Sequence, residues 1–118
     1  MTARLCEWDN MDRKDYNVMR AIAWDYLANI YQTDNLSRAT YDLEQKIRPY
    51  IIGYIYDKEV LSEINTLVKD LERLMVLSAK YYTPQEVNRM GKAAQNEFGD
   101  ALHDFRATIL RIGYLVRE

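Results

Sequence analysis

Apolar positions along the chain recur at helical spacing in four blocks. In the first, Tyr16, Met19, Ala23, Tyr26, Leu27 and Ile30 fall on one face of a helix expected from about Asp12 to Tyr31, with Lys14, Asp25 and Asn29 on the other. Asp12 suits the N-cap, since its carboxylate can accept a hydrogen bond from an orphan N–H of the first turn. Thr33, Asp34 and Asn35 read as a polar turn. In the second block Leu36, Thr40, Leu43, Ile47, Tyr50 and Tyr54 are spaced four, three, four, three and four. The stripe keeps its phase through Pro49, which predicts one helix with a kink rather than two helices. Proline removes its own N–H and crowds the carbonyl of Gln45. Pro49 lies off the stripe, on the side that a bend would turn convex to solvent.

The third block predicts a helix from about Lys58 to Lys80, capped by Asp57. Val60, Ile64, Leu67, Leu71 and Leu74 form one edge of its apolar face, and Leu61, Val68 and Met75 the other. The fourth opens on Thr-Pro-Gln-Glu at 83–86. Thr83 can cap, Pro84 suits the first helical position, and Glu86 can reach back to the Thr83 N–H. Tyr82 and Val87 stand where a hydrophobic staple belongs. Val87, Met90, Ala94, Phe98, Ala101, Phe105, Ile109, Ile112 and Val116 continue the stripe. Gly91 and Ala94 would admit a close neighbour; Gly99 is off the stripe and costs about 1 kcal/mol relative to Ala.

Short connections between long helices imply antiparallel neighbours, so the expected fold is all-α, an up-down-up-down four-helix bundle in one domain spanning 1–118, with residues 1–11 as an N-terminal arm. An unbroken fourth helix of about 33 residues would span ~50 Å against ~30 Å for the others, and its last turns would overhang. Leu110, Tyr114 and Leu115 lie off its stripe there. Ile52, Ile55 and Tyr56 make a second apolar face on the last turns of the second helix, at the same end. Trp24 and Tyr41 are also off the stripes. Apolar and aromatic groups ringed by charge have the composition of a protein interface. The six residues Ile52, Ile55, Tyr56, Leu110, Tyr114 and Leu115 are therefore the candidate interface, unless Leu5, Trp8 and Met11 of the arm cover them.

Composition narrows the function classes. The chain has 118 residues, 48 % hydrophobic and 29 % charged, with four Gly and two Pro, which argues against a turn-rich β fold and against disorder. A net charge of −2 supplies no global pull toward nucleic acid or anionic lipid. The one cysteine, Cys6, has no internal partner, so a reducing, cytoplasmic setting is expected. The first residues show no signal-peptide pattern, and no apolar run nears the ~18 residues of a membrane span.

Candidate chemistry is sparse. His103, the only histidine, follows Asp100 by three residues in a strip with Glu97 and Asp104. A di-metal bundle site needs a second histidine motif and inward ligands, so a solvated acidic face is expected and no metal or cofactor. No phosphate loop, CxxC, HExxH or GxSxG occurs. The long apolar third helix, the Thr-Pro-Gln-Glu-Val turn and the mid-helix glycine of the fourth helix resemble, in outline, small four-helix-bundle proteins associated with diversity-generating retroelements and ribosomal-RNA intervening sequences. Those retroelement proteins are basic and often carry Gly-Trp in the last helix; this chain is neither, and no family is identified on the resemblance. The expected function is a non-catalytic interaction or accessory protein, homo-oligomeric or bound to a protein partner. The alternatives are a small-ligand or nucleotide binder at a tyrosine-lined subunit junction, drawing on ten tyrosines, and a nucleic-acid accessory bundle.

Overall fold

The computed structural model describes residues 11–116, which form four long helices and one short one. These are α1 (Arg13–Asn29, followed by a 3₁₀ turn, Ile30–Gln32), α2 (Leu36–Gly53), α3 (Leu61–Tyr81), the short α4 (Pro84–Arg89) and α5 (Lys92–Leu115). Local chemistry starts each of the first two. Asp12 accepts the Asp15 N–H at 2.8 Å, and Asn35 accepts the Arg38 N–H at 3.0 Å. α2 is a single helix through Pro49, whose ring is exposed to solvent.

Hydrogen bonds between helix ends fix the antiparallel order. The Arg13 guanidinium at the start of α1 donates to the carbonyls of Gly113 (3.0 Å) and Val116 (3.2 Å) at the end of α5, where a cation offsets the helix dipole. The Leu36 N–H at the start of α2 donates to the Tyr82 carbonyl just after α3 at 2.8 Å. Tyr54, just after α2, donates its hydroxyl to Asp15 near the start of α1. The helices pack in a ring: α5 on α3, α3 on α2, α2 on α1, and α1 on α5, the last being the least extensive seam. This is an up-down-up-down four-helix bundle, as the periodicity predicts.

The core contains Tyr16, Met19, Ala23, Tyr26 and Ile30 from α1 and its 3₁₀ turn, and Leu36, Leu43 and Ile47 from α2. α3 adds Ile64, Leu67, Leu71 and Leu74, and α5 adds Phe98, Phe105, Ile109 and Ile112. Tyr26 meets Phe105 edge-on, ring centroids 6.0 Å apart. A buried hydroxyl chain crosses three helices: Tyr26 Oη to Thr40 Oγ1 at 2.9 Å, and Thr40 Oγ1 to Ser78 Oγ at 2.7 Å. Burial pushes the Tyr26 hydroxyl up to about 12, so it stays a neutral hydrogen-bonding group.

Several expectations need correction. The fourth helix is not continuous. It breaks at Met90 and Gly91, where Gly91 has φ +99° and ψ −170°, a region open almost only to glycine. Gly91 therefore interrupts the helix instead of admitting a neighbour, Met90 turns out to solvent, and the ~50 Å rod becomes a helix of 24 residues, ~36 Å long. The third helix begins at Leu61, not Lys58. Asp57 is buried and braces the preceding turn, accepting the N–H of Glu59 at 3.1 Å and of Met11 at 2.7 Å. Leu61, Val68 and Met75 are exposed, because the buried face of α3 turns toward Leu77, Ser78 and Tyr81 instead. Thr83 caps the Glu86 N–H at 3.1 Å, but the return bond is absent: the Thr83 N–H goes to the Tyr81 carbonyl at 2.7 Å, and Glu86 pairs with Arg89 at 2.9 Å. Tyr82 is exposed in a γ-like turn at φ 64°, so the expected staple with Val87 does not form.

Candidate functional site

Five of the six expected interface residues stand exposed. Tyr114 retains 87 % of its surface, Tyr56 76 % and Ile52 60 %; Ile55 and Leu115 are exposed less fully, and Leu110 is half-buried. All six lie toward one end of the bundle, beyond a closed interior in which Tyr54, Ile112 and Val116 are buried. Burial and the Asp15 carboxylate push the Tyr54 hydroxyl well above its ordinary value, so it holds its proton and ties α2 to α1. Met11 is buried, while Leu5 and Trp8 of the arm lie outside the described residues.

The six residues share an end of the bundle but do not form one face. α2 and α5 occupy opposite corners of the ring, each flanked by α1 and α3. Ile52, Ile55 and Tyr56 thus belong to one corner, and Leu110, Tyr114 and Leu115 to the diagonal one. Ile52 also forms the rim of a groove of about 360 Å³ between α2 and α3, together with Ile51, Val68, Leu71 and Met75. The apolar residues turned out of the core on α3 are therefore continuous with the α2 corner. An ion pair, Arg48 Nε to Glu44 Oε1 at 2.9 Å, borders this strip. Sequence spacing contained the signal, since Leu61, Val68 and Met75 repeat every seven residues.

A second groove, of about 570 Å³, runs along the α1–α5 seam. Trp24, Leu27 and Ala28 line it from α1 and Tyr31 from the 3₁₀ turn that follows; Gly99, Leu102, His103 and Arg106 line it from α5. Both sets are spaced i, i+3, i+4, i+7, so two matching helix faces oppose each other. The seam is closed at one end and open at the other, and two glycines mark the difference. A Cβ on Gly113 would stand 2.6 Å from Tyr16 Cζ, so only glycine lets that ring reach the Ile109 carbonyl, to which its hydroxyl donates at 3.0 Å. A Cβ on Gly99 would meet nothing within 4 Å. The sequence left Gly99 unexplained and passed over Arg106; the matching spacing on the two helices was the available signal.

Two acids of the strip on α5, Glu97 and Asp104, are engaged in ordinary pairing. Glu97 accepts from the Tyr81 hydroxyl at 2.6 Å and pairs with Lys80 at 3.4 Å, which together hold its carboxyl below the usual value. Asp104 pairs with Arg73 at 2.9 Å. No group of three or more His, Cys, Asp or Glu side chains able to hold a metal occurs among the described residues, and no helix there is long and apolar enough to cross a membrane. No protein-family model, curated protein or solved structure matches the chain.

Proposed function

We propose that the protein is a non-catalytic interaction module that associates with a second copy of itself through the apolar end carrying Ile52, Ile55, Tyr56, Leu110, Tyr114 and Leu115. The observation that carries this reading is the exposure of Ile52, Tyr56 and Tyr114 together at one end of the bundle, among the most exposed of its large apolar side chains. Isolated exposed apolar residues are common on any surface, but large aromatic and branched side chains gathered near closed hydrophobic packing favour association. Because the groups sit on diagonal corners, a two-fold arrangement can set the α2 corner of one copy on the α5 corner of the other, an isologous contact. Tyrosine suits such a contact, giving a large apolar area at low entropic cost with a hydroxyl that tolerates water.

Light scattering coupled to size exclusion tests the proposal. The full chain should elute at twice its 14.0 kDa mass at micromolar concentration. The pair Tyr56→Asp and Tyr114→Asp, both at exposed positions, should yield a folded monomer. A parent protein that stays monomeric at high micromolar concentration disposes of self-association.

A further inference from the structure

We infer that the groove between α1 and α5 is a binding site for a small flat aromatic ring that carries an anionic group. It is separate from the proposed association surface: none of the residues lining it is among the six at the apolar end.

Three features of the groove point to this ligand class. Its walls are apolar and aromatic, from Trp24, Leu27, Tyr31 and Leu102, and its volume of about 570 Å³ suits a small molecule. Tyr31 is held edge-on against the buried Phe98, with ring centroids 6.1 Å apart, so this wall is braced by the core. The absence of a side chain at Gly99 leaves the α5 wall open where a residue with a Cβ would meet no obstruction. An aliphatic residue there would have filled the seam, as Leu102 does one turn later.

The one formal charge among the residues lining the groove is positive. Arg106 lies over the Trp24 ring at 5.4 Å, and His103 stands beside it; no carboxylate lines the groove. Two nearby acids are engaged elsewhere, and Asp100, next to Gly99, is exposed and not among the lining residues. Asp25 borders the α1–α2 groove, and Asp104 is paired with Arg73 on the α3 side. Among the described residues Arg106 makes no ion pair, so its charge is stacked on Trp24 and not neutralised by a carboxylate. A guanidinium held over an indole can offer the N–H groups that do not face the ring as a fork for a carboxylate, sulfonate or phosphate. A ring attached to that anion would lie against Trp24 and Tyr31, above the space at Gly99.

The test uses the full chain, with 2-naphthoate as probe and 2-naphthalenemethanol as its neutral counterpart. Binding is followed by calorimetry and by the indole N–H resonance of Trp24, with Trp8→Phe removing the other indole. The expected result is saturable binding of naphthoate that shifts the Trp24 resonance, and weaker binding of the alcohol. Arg106→Gln, at an exposed position, should weaken naphthoate binding about tenfold, the loss of one charge-assisted contact, and leave the alcohol unchanged. Gly99→Leu should abolish both while thermal unfolding remains cooperative; Gly99→Ala, a milder filling, should weaken both. A Trp24 resonance unmoved by millimolar naphthoate overturns the inference. So does equal binding of acid and alcohol, or naphthoate binding that survives both Arg106→Gln and the filling of Gly99.

Discussion

At the scale of single residues, the α1–α5 seam is governed by what two glycines lack. Gly113 is required by its neighbour: an added methyl would overlap the Tyr16 ring, which is buried and hydrogen-bonded to the Ile109 carbonyl. Gly113→Ala should therefore destabilise the protein by about 1–3 kcal/mol despite the better helix propensity of alanine, measured by urea unfolding. Gly99→Ala, with open space around the new methyl, should instead stabilise by about 0.5–1 kcal/mol. A charge in a half-buried place gives a second residue-scale expectation. Asp70 accepts the Thr108 hydroxyl at 2.6 Å, yet burial, the larger influence, pushes its carboxyl above the ordinary value. The folded state thus holds this proton more tightly than the unfolded chain does. The stability that the group contributes is full below about pH 4, the ordinary carboxylate value, and is lost as pH rises through the raised folded value. Asp70→Asn keeps an oxygen acceptor without the charge. It should be at least as stable as the parent at neutral pH, with the difference shrinking toward acid; a lower melting temperature at pH 7 would show instead that attraction to Arg73 and Arg111 dominates.

At the scale of elements, helix ends follow local chemistry and helix continuity does not. The caps at Asp12, Asn35 and Thr83 are short-range side-chain to backbone bonds, and the first and last were legible in the sequence as such. The break at Gly91 was not. The apolar stripe from Val87 to Ala94 stays nearly in phase across it, so periodicity could not distinguish a continuous rod from two helices at an angle. The outcome rests on a backbone conformation at φ +99° that an L side chain adopts only under strain. Gly91→Ala should therefore cost about 1–3 kcal/mol although its methyl would touch nothing, and unfolding midpoints beside those of Gly99→Ala measure the contrast. Pro49 is the opposite case. It has the residue type of a break, yet α2 continues through it, since the buried positions Leu43 and Ile47 before it and Tyr54 after it hold the helix against its neighbours.

At the scale of the whole molecule, the proposed self-association makes stability depend on concentration. A dimer that binds only when folded should melt at higher temperature as protein concentration rises, whereas the Tyr56→Asp and Tyr114→Asp variant should melt independently of concentration; scanning calorimetry over a hundredfold dilution, about 2.7 kcal/mol in mass action, reads the difference. The sequence by itself determined the number of long helices, most of their buried stripes, the caps at Asp12 and Thr83 and the exposure of Ile52, Tyr56 and Tyr114, because the 3.6-residue period and the capping bond are properties of a few consecutive residues. Tertiary structure alone decided which edge of α3 was buried, that α2 and α5 stand on diagonal corners, that Asp57 braces Met11 and the turn after it, and that one seam closes at Gly113 and opens at Gly99. Each of these depends on which side chain stands across from a given position, and residues far apart along the chain meet only once the helices have packed.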